Sequence, residues 1–114
     1  MRRVYYFWVK FMEIKDVIYR IGYFRNKKNL SARELSKKLG NNQTYITRME
    51  SGEFNLTIEK LLEMLEIFDV EPAEFFADNY DSYSTDKSLE EKLKKLTPED
   101  KEIIKSIIDR MLLK

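Results

Sequence analysis

Gln43, Thr44, Thr47 and Arg48 bring an amide, two hydroxyls and a guanidinium into one short stretch. The chemistry they offer is hydrogen bonding. The amide donates and accepts side by side, the hydroxyls do either, and the guanidinium presents a fixed fork of donors. Bond-breaking chemistry has little to draw on. With no cysteine there is no disulfide, thiolate metal site or thiol nucleophile. With no histidine the usual zinc ligand and the usual general base are missing. Carboxylates alone could hold magnesium, but the acidic residues fall mostly on helical faces and in a polar connector, where they read as solvated surface. The chain is therefore read as not an enzyme, with no cofactor and no metal site.

The 114 residues are 43% hydrophobic, enough for one modest core with an appendage. Charge is divided along the chain. Residues 1–52 hold 12 Lys and Arg against 4 Asp and Glu, whereas residues 53–114 hold 9 against 16. A polyanion would be drawn to the first half and repelled by the second, which orients an encounter before any specific contact forms.

The elements that must position the hydrogen-bonding set can be read locally. Ser31 with Glu34 three positions later is a capping-box start for a helix. Leu35 and Leu39 lie four apart on its inward face, with Arg33, Lys37 and Lys38 elsewhere. Gly40 stops it, because the left-handed conformation at a helix end carries no Cβ penalty in glycine. Asn42 caps the next helix, read as Asn42 to Ser51. Ile46 and Met49 supply its inward side and leave Gln43, Thr44, Thr47 and Arg48 to project outward. Ser36 falls where the two helices cross closely, and a small side chain suits that contact. A helix, a glycine turn and a second helix at this spacing form a helix-turn-helix pattern.

The same residues resemble the helix-turn-helix domains of the lambda-repressor/Cro-like superfamily, the XRE family. The resemblance extends roughly from Val17 to Phe76. Ile21 and Phe24 match the core of the family's first helix, Leu30-Ser31 its entry to the second, and Met49-Glu50-Ser51-Gly52 its exit from the third. Asn55-Leu56-Thr57-Ile58 through Leu61-Leu62 and Leu65 resembles its fourth helix. Val70-Glu71-Pro72-Ala73-Glu74-Phe75-Phe76 resembles its short fifth, with proline at the permitted first turn. The resemblance also implies an ion pair between Arg25 and Glu50, tying the first helix to the end of the third.

Two departures bear on binding. Many relatives carry a phosphate-binding glutamine where this chain has Ala32, so that side-chain contact is absent. The loop after the third helix, often basic in relatives, reads Gly52-Glu53-Phe54-Asn55, and Glu53 would repel a nearby phosphate. Clamping of a backbone on that side would then rely on Asn55 and peptide N–H groups.

The fold expected is all-α: a five-helix lambda-repressor-like domain over residues 12–78 and a C-terminal helical segment. Helix one should run from about Glu13 to Asn26, with Ile14, Val17, Ile18, Ile21 and Phe24 inward, and helix four from about Ile58 to Phe68. Residues 79–87, polar and without periodicity, read as a linker. The C-terminal segment, 88–114, has two helix starts, a capping box at Ser88 and Glu91 and a cap at Thr97-Pro98. Its last helix carries a wide apolar face of Ile103, Ile104, Ile107, Ile108, Met111 and Leu112. Such a face must be buried, by folding back or by pairing with another subunit. A second copy is favoured, with Ile104, Ile107, Ile108 and Met111 as dimerisation residues.

Residues 2–11 are rich in β-branched and aromatic side chains. They are too short an apolar run for a signal peptide or a membrane span. Two readings stay open: a short N-terminal strand in an extension over residues 1–11, or Met12 as the biological start.

The resemblance implies a double-stranded DNA-binding transcriptional regulator acting in the cytoplasm, a repressor by default. Gln43, Thr44, Thr47 and Arg48 would read base edges, with Gln43 bidentate on adenine and Arg48 on guanine O6 and N7. Ser31, the Ala32 N–H, Tyr45 and Asn55 would hold phosphates. A homodimer would place two reading helices about one turn of DNA apart, roughly 34 Å, on a palindromic operator. The alternative is an antitoxin-like or regulator-sequestering protein whose C-terminal helices bind a protein partner.

Overall fold

The computed structural model describes residues 11–113, and every regular element among them is helical. The possible N-terminal strand falls, but for Phe11, outside the described residues. Two compact units divide after Phe75.

The first unit holds α1 (Ile14–Lys27), α2 (Ala32–Lys38), α3 (Tyr45–Glu50), α4 (Ile58–Phe68) and α5, Pro72–Phe76, whose last residue lies past the division. Its core is built from one or two faces of each helix. Ile21 and Phe24 come from α1, Leu35 from α2 with Leu39 just beyond it, Ile46 and Met49 from α3. Leu61, Met64, Leu65 and Phe68 come from α4, and Phe75 from α5. Phe24 is central: its ring stacks 6.5 Å from Phe68 and lies 5.8 Å from Phe75. Each such side chain contributes about 1.5–3 kcal/mol by leaving water. Ile14, expected inward, is 59% exposed.

Four helices of this unit end in the same way. Asn29, Gly40, Gly52 and Asp69 all take left-handed backbone, with φ of 58°, 73°, 83° and 59°. At each, that residue and the next donate back into the last turn: Gly40 to the Lys37 carbonyl and Asn41 to that of Ser36, Gly52 to Met49 and Glu53 to Arg48. Asn29 and Leu30 do so at α1, Asp69 and Val70 at α4. The carbonyls left open at each helix end are thereby satisfied, and the chain reverses sharply enough for short helices to enclose one core.

The second unit contains α6 (Tyr83–Lys94) and α7 (Pro98–Leu112). Here the linker reading fails. Residues 83–87 are the first turns of α6, and Ser88 lies inside the helix rather than at its start. The local signal is a carboxylate near the N-terminus: Asp86 accepts from Asn79 Nδ2 at 2.7 Å and from the Ser82 hydroxyl at 2.8 Å, and its charge is favourable at that end of the helix. The α7 start matches its cap, with the Thr97 hydroxyl accepting the Asp100 N–H at 3.1 Å and Pro98 in the first turn. Neither helix buries a residue, and Ile103, Ile107, Ile108, Met111 and Leu112 are exposed.

Candidate nucleic-acid interface

The α2 start satisfies itself. The Glu34 N–H donates to the Ser31 hydroxyl at 3.0 Å, and the Ser31 N–H donates to the Glu34 carboxylate at 2.8 Å. The Ser31 N–H, and after it the Ser31 hydroxyl, hold the Glu34 carboxyl below the usual carboxylate value, with Lys38 and Lys37 adding a smaller pull. Glu34 thus occupies the Ser31 N–H, whereas the N–H groups of Ala32 and Arg33 have no acceptor within the helix. Arg33, Lys37 and Lys38 are exposed along α2.

A buried hydroxyl joins α2 to α3. Ser36, fully buried, donates to the Ala32 carbonyl at 2.8 Å and accepts the Ile46 N–H at 3.0 Å. Small size is only part of its role. No apolar residue of similar volume could accept that N–H, and sequence reading offered only the packing half of the explanation.

The third helix is shorter than the Asn42–Ser51 reading: regular helix begins at Tyr45, and Gln43 and Thr44 form the turn that enters it. Asn42 nevertheless organises the entry. Its side-chain oxygen accepts the Thr44 N–H at 2.9 Å and the Thr44 hydroxyl at 2.8 Å. With its proton committed to Asn42, the Thr44 hydroxyl presents lone pairs outward and acts as an acceptor.

Ile46 and Met49 are fully buried, and this anchors the opposite side of the segment at a fixed angle. Gln43, Thr44, Thr47 and Arg48 are all exposed. Tyr45 is half-buried, its ring 5.1 Å from that of Phe54, and burial raises its phenol pKa so that it stays a neutral donor. Arg48 is not free on the surface: its Nε donates to Glu53 Oε1 at 3.0 Å. Asn55 is exposed in the following loop.

Behind this surface Arg25 and Glu50 form a two-pronged ion pair, Nε to Oε2 at 3.2 Å and Nη2 to Oε1 at 3.4 Å. Arg25 also donates to the Leu30 carbonyl at 3.0 Å. One guanidinium thus braces the end of α1, the entry to α2 and the end of α3. The pair is half-buried. Sequence reading missed a second brace, Arg20, which donates to the Phe75 carbonyl at 2.7 Å and ties α1 to α5.

The exposed side chains of this segment offer amide, hydroxyl and guanidinium groups for hydrogen bonding. Among the described residues no three carboxylates gather closely enough to hold a metal. Residues 21–75 match a family model described as helix-turn-helix. The chain carries a DNA-binding helix-turn-helix domain of the XRE family. That family's domain is a binding module, not an enzyme. The match begins at Ile21 and ends at Phe75, the first and last fully buried core residues of the first unit. No curated protein and no solved structure matches the chain. No helix among the described residues is long and apolar enough to cross a membrane.

Proposed function

We propose that this helix-turn-helix regulator is a sequence-specific repressor that binds a palindromic operator as a homodimer, in the cytoplasm. The observation that carries the reading is the division of one segment, in which Ile46 and Met49 are sealed in the core while Gln43, Thr44, Thr47 and Arg48 stand in solvent. Inserted in a major groove, the outward side would meet base edges. Gln43 suits adenine, Arg48 suits guanine, and the threonines suit a donor or a thymine methyl. Around it, the Ala32 N–H, Ser31, Tyr45 and Asn55 would engage phosphates. Occupying a promoter in this way blocks its use.

Dimerisation is assigned to α7, through Ile104, Ile107, Ile108 and Met111. What supports it is exposure: Ile107 is 50% and Met111 63% accessible, an apolar area that favours a partner over water. The same exposure favours a second reading, in which another protein covers α7 and DNA binding is subsidiary.

Selection of bound duplexes from a random pool tests the proposal. A recovered palindrome supports a dimeric sequence reader, an enriched single half-site supports a monomeric one, and no enrichment refutes base reading.

A further inference from the structure

We propose that Glu53 is a specificity-determining positioning residue: its carboxylate holds the Arg48 guanidinium so that only the two terminal amino groups are presented for recognition. This rests on the proposed role of Arg48 in reading bases.

The backbone brings the two side chains together. Gly52, at φ +83°, lets the chain reverse at the end of α3, and the Glu53 N–H then donates to the Arg48 carbonyl at 3.0 Å. In this type of helix end, the two residues so joined usually make an apolar contact, as Leu65 and Val70 can at the end of α4. At α3 the same two places hold opposite charges. The Arg48 Nε donates to Glu53 Oε1 at 3.0 Å, and the Ser51 hydroxyl sits 3.4 Å from the other carboxylate oxygen. On another side the guanidinium lies 5.9 Å from the centre of the Phe54 ring, which is itself tilted against that of Tyr45. The side chain is thus held at an edge and beside a ring.

Two consequences follow from the chemistry. A guanidinium can face guanine O6 and N7 either through its Nε edge or through its terminal pair. Glu53 occupies the Nε edge and leaves the terminal pair. The carboxylate also offsets the positive charge that would otherwise take Arg48 to the nearest phosphate. Arg48 then contributes discrimination between sequences more than general affinity. The pair is a poor source of stability, since both side chains are about half exposed, at 54% and 52%, and such pairs add little to folding.

The test compares the full-length wild-type chain, Arg48→Ala and Glu53→Gln on a selected operator, on the same operator changed at each base pair, and on random-sequence duplex over a range of salt. The expected result is that Glu53→Gln loses on the order of fivefold discrimination or more at the same base pair as Arg48→Ala. Its binding to random duplex should also strengthen, with a salt dependence steeper by about one counterion, as the released arginine takes a phosphate. Full discrimination at that base pair in Glu53→Gln would overturn the inference and leave the DNA-reading role of Arg48 standing. Equal weakening on every sequence, with an unchanged salt slope, would also overturn it, because a merely structural residue acts that way. If Arg48→Ala relaxes discrimination at no base pair, the reading of Arg48 fails and the inference goes with it.

Discussion

Ser36 accepts the backbone N–H of Ile46 while donating to Ala32, so one buried hydroxyl fixes the start of α3 against α2. The angle between the two helices decides whether the outward face of α3 fits a groove. Groove reading by α3 would then depend on an atom that never meets solvent.

Ser36→Ala removes the acceptor and leaves the Ile46 N–H buried and unpaired. We expect a loss of about 1–3 kcal/mol in chemical denaturation, the cost of an unsatisfied buried donor. Operator affinity should fall further than stability alone accounts for, because α3 is then free to tilt. Ser36→Thr keeps the hydroxyl and separates the hydrogen bond from the packing.

The two glycines at φ +73° and +83° can be tested by alanine. Added Cβ atoms at Gly40 and Gly52 meet nothing within 4 Å, so the cost is conformational alone. Each substitution should destabilise the domain by about 1–2 kcal/mol, the penalty for left-handed backbone in an L-residue. Gly40→Asn and Gly52→Asn should recover part of it in the same denaturation assay.

Acid should weaken the α2 start through Glu34. Its native pKa is depressed below the ordinary 4.5 by its bonds to Ser31. The capping-box contribution is therefore complete above that ordinary value and is lost as pH falls through the lower native one. Glu34→Gln should flatten the acid limb of stability against pH in that window by lowering the neutral region toward the acid value, while leaving the most acidic points nearly unchanged, which thermal melts at a series of pH values would reveal.

The apolar face of α7 can be broken by adding charge. Ile107→Glu and Ile108→Glu place charges on exposed positions, so folding should survive. In sedimentation equilibrium the wild type should have the mass of a dimer and the double variant that of a monomer, with weaker operator binding. An unchanged mass would place the contact elsewhere.

The parts of the fold legible in the sequence are those set by local rules. Ser31 with Glu34, Gly40, and the spacing of Leu35, Leu39, Ile46 and Met49 each specify a cap, a stop or a buried stripe from a few neighbours. The XRE resemblance rested on these, and the match over residues 21–75 bears it out. The α6 start was hidden because Tyr83-Ser84-Thr85 has poor helix propensity, and the bonds from Asn79 and Ser82 to Asp86 depend on a turn that periodicity does not register. The Asn29 and Asp69 helix ends lacked a glycine to announce them. Ile14 satisfies the helical period yet is exposed, since periodicity gives a direction and not a neighbour. In the candidate interface, outward placement of Gln43, Thr44, Thr47 and Arg48 followed from the pattern. The contact of Glu53 with Arg48 did not, because it needs the reversal at Gly52 to bring the two together.

Whether the outward side of α3 reads a major groove can be decided by guanine-N7 methylation interference on a selected operator. Methylation of one guanine in each half-site should block the wild type, and the same modification should make no difference to Arg48→Ala, which has already lost the contact. If methylated guanines anywhere in the operator leave wild-type binding intact, or if they inhibit both proteins alike, α3 does not read the groove through Arg48.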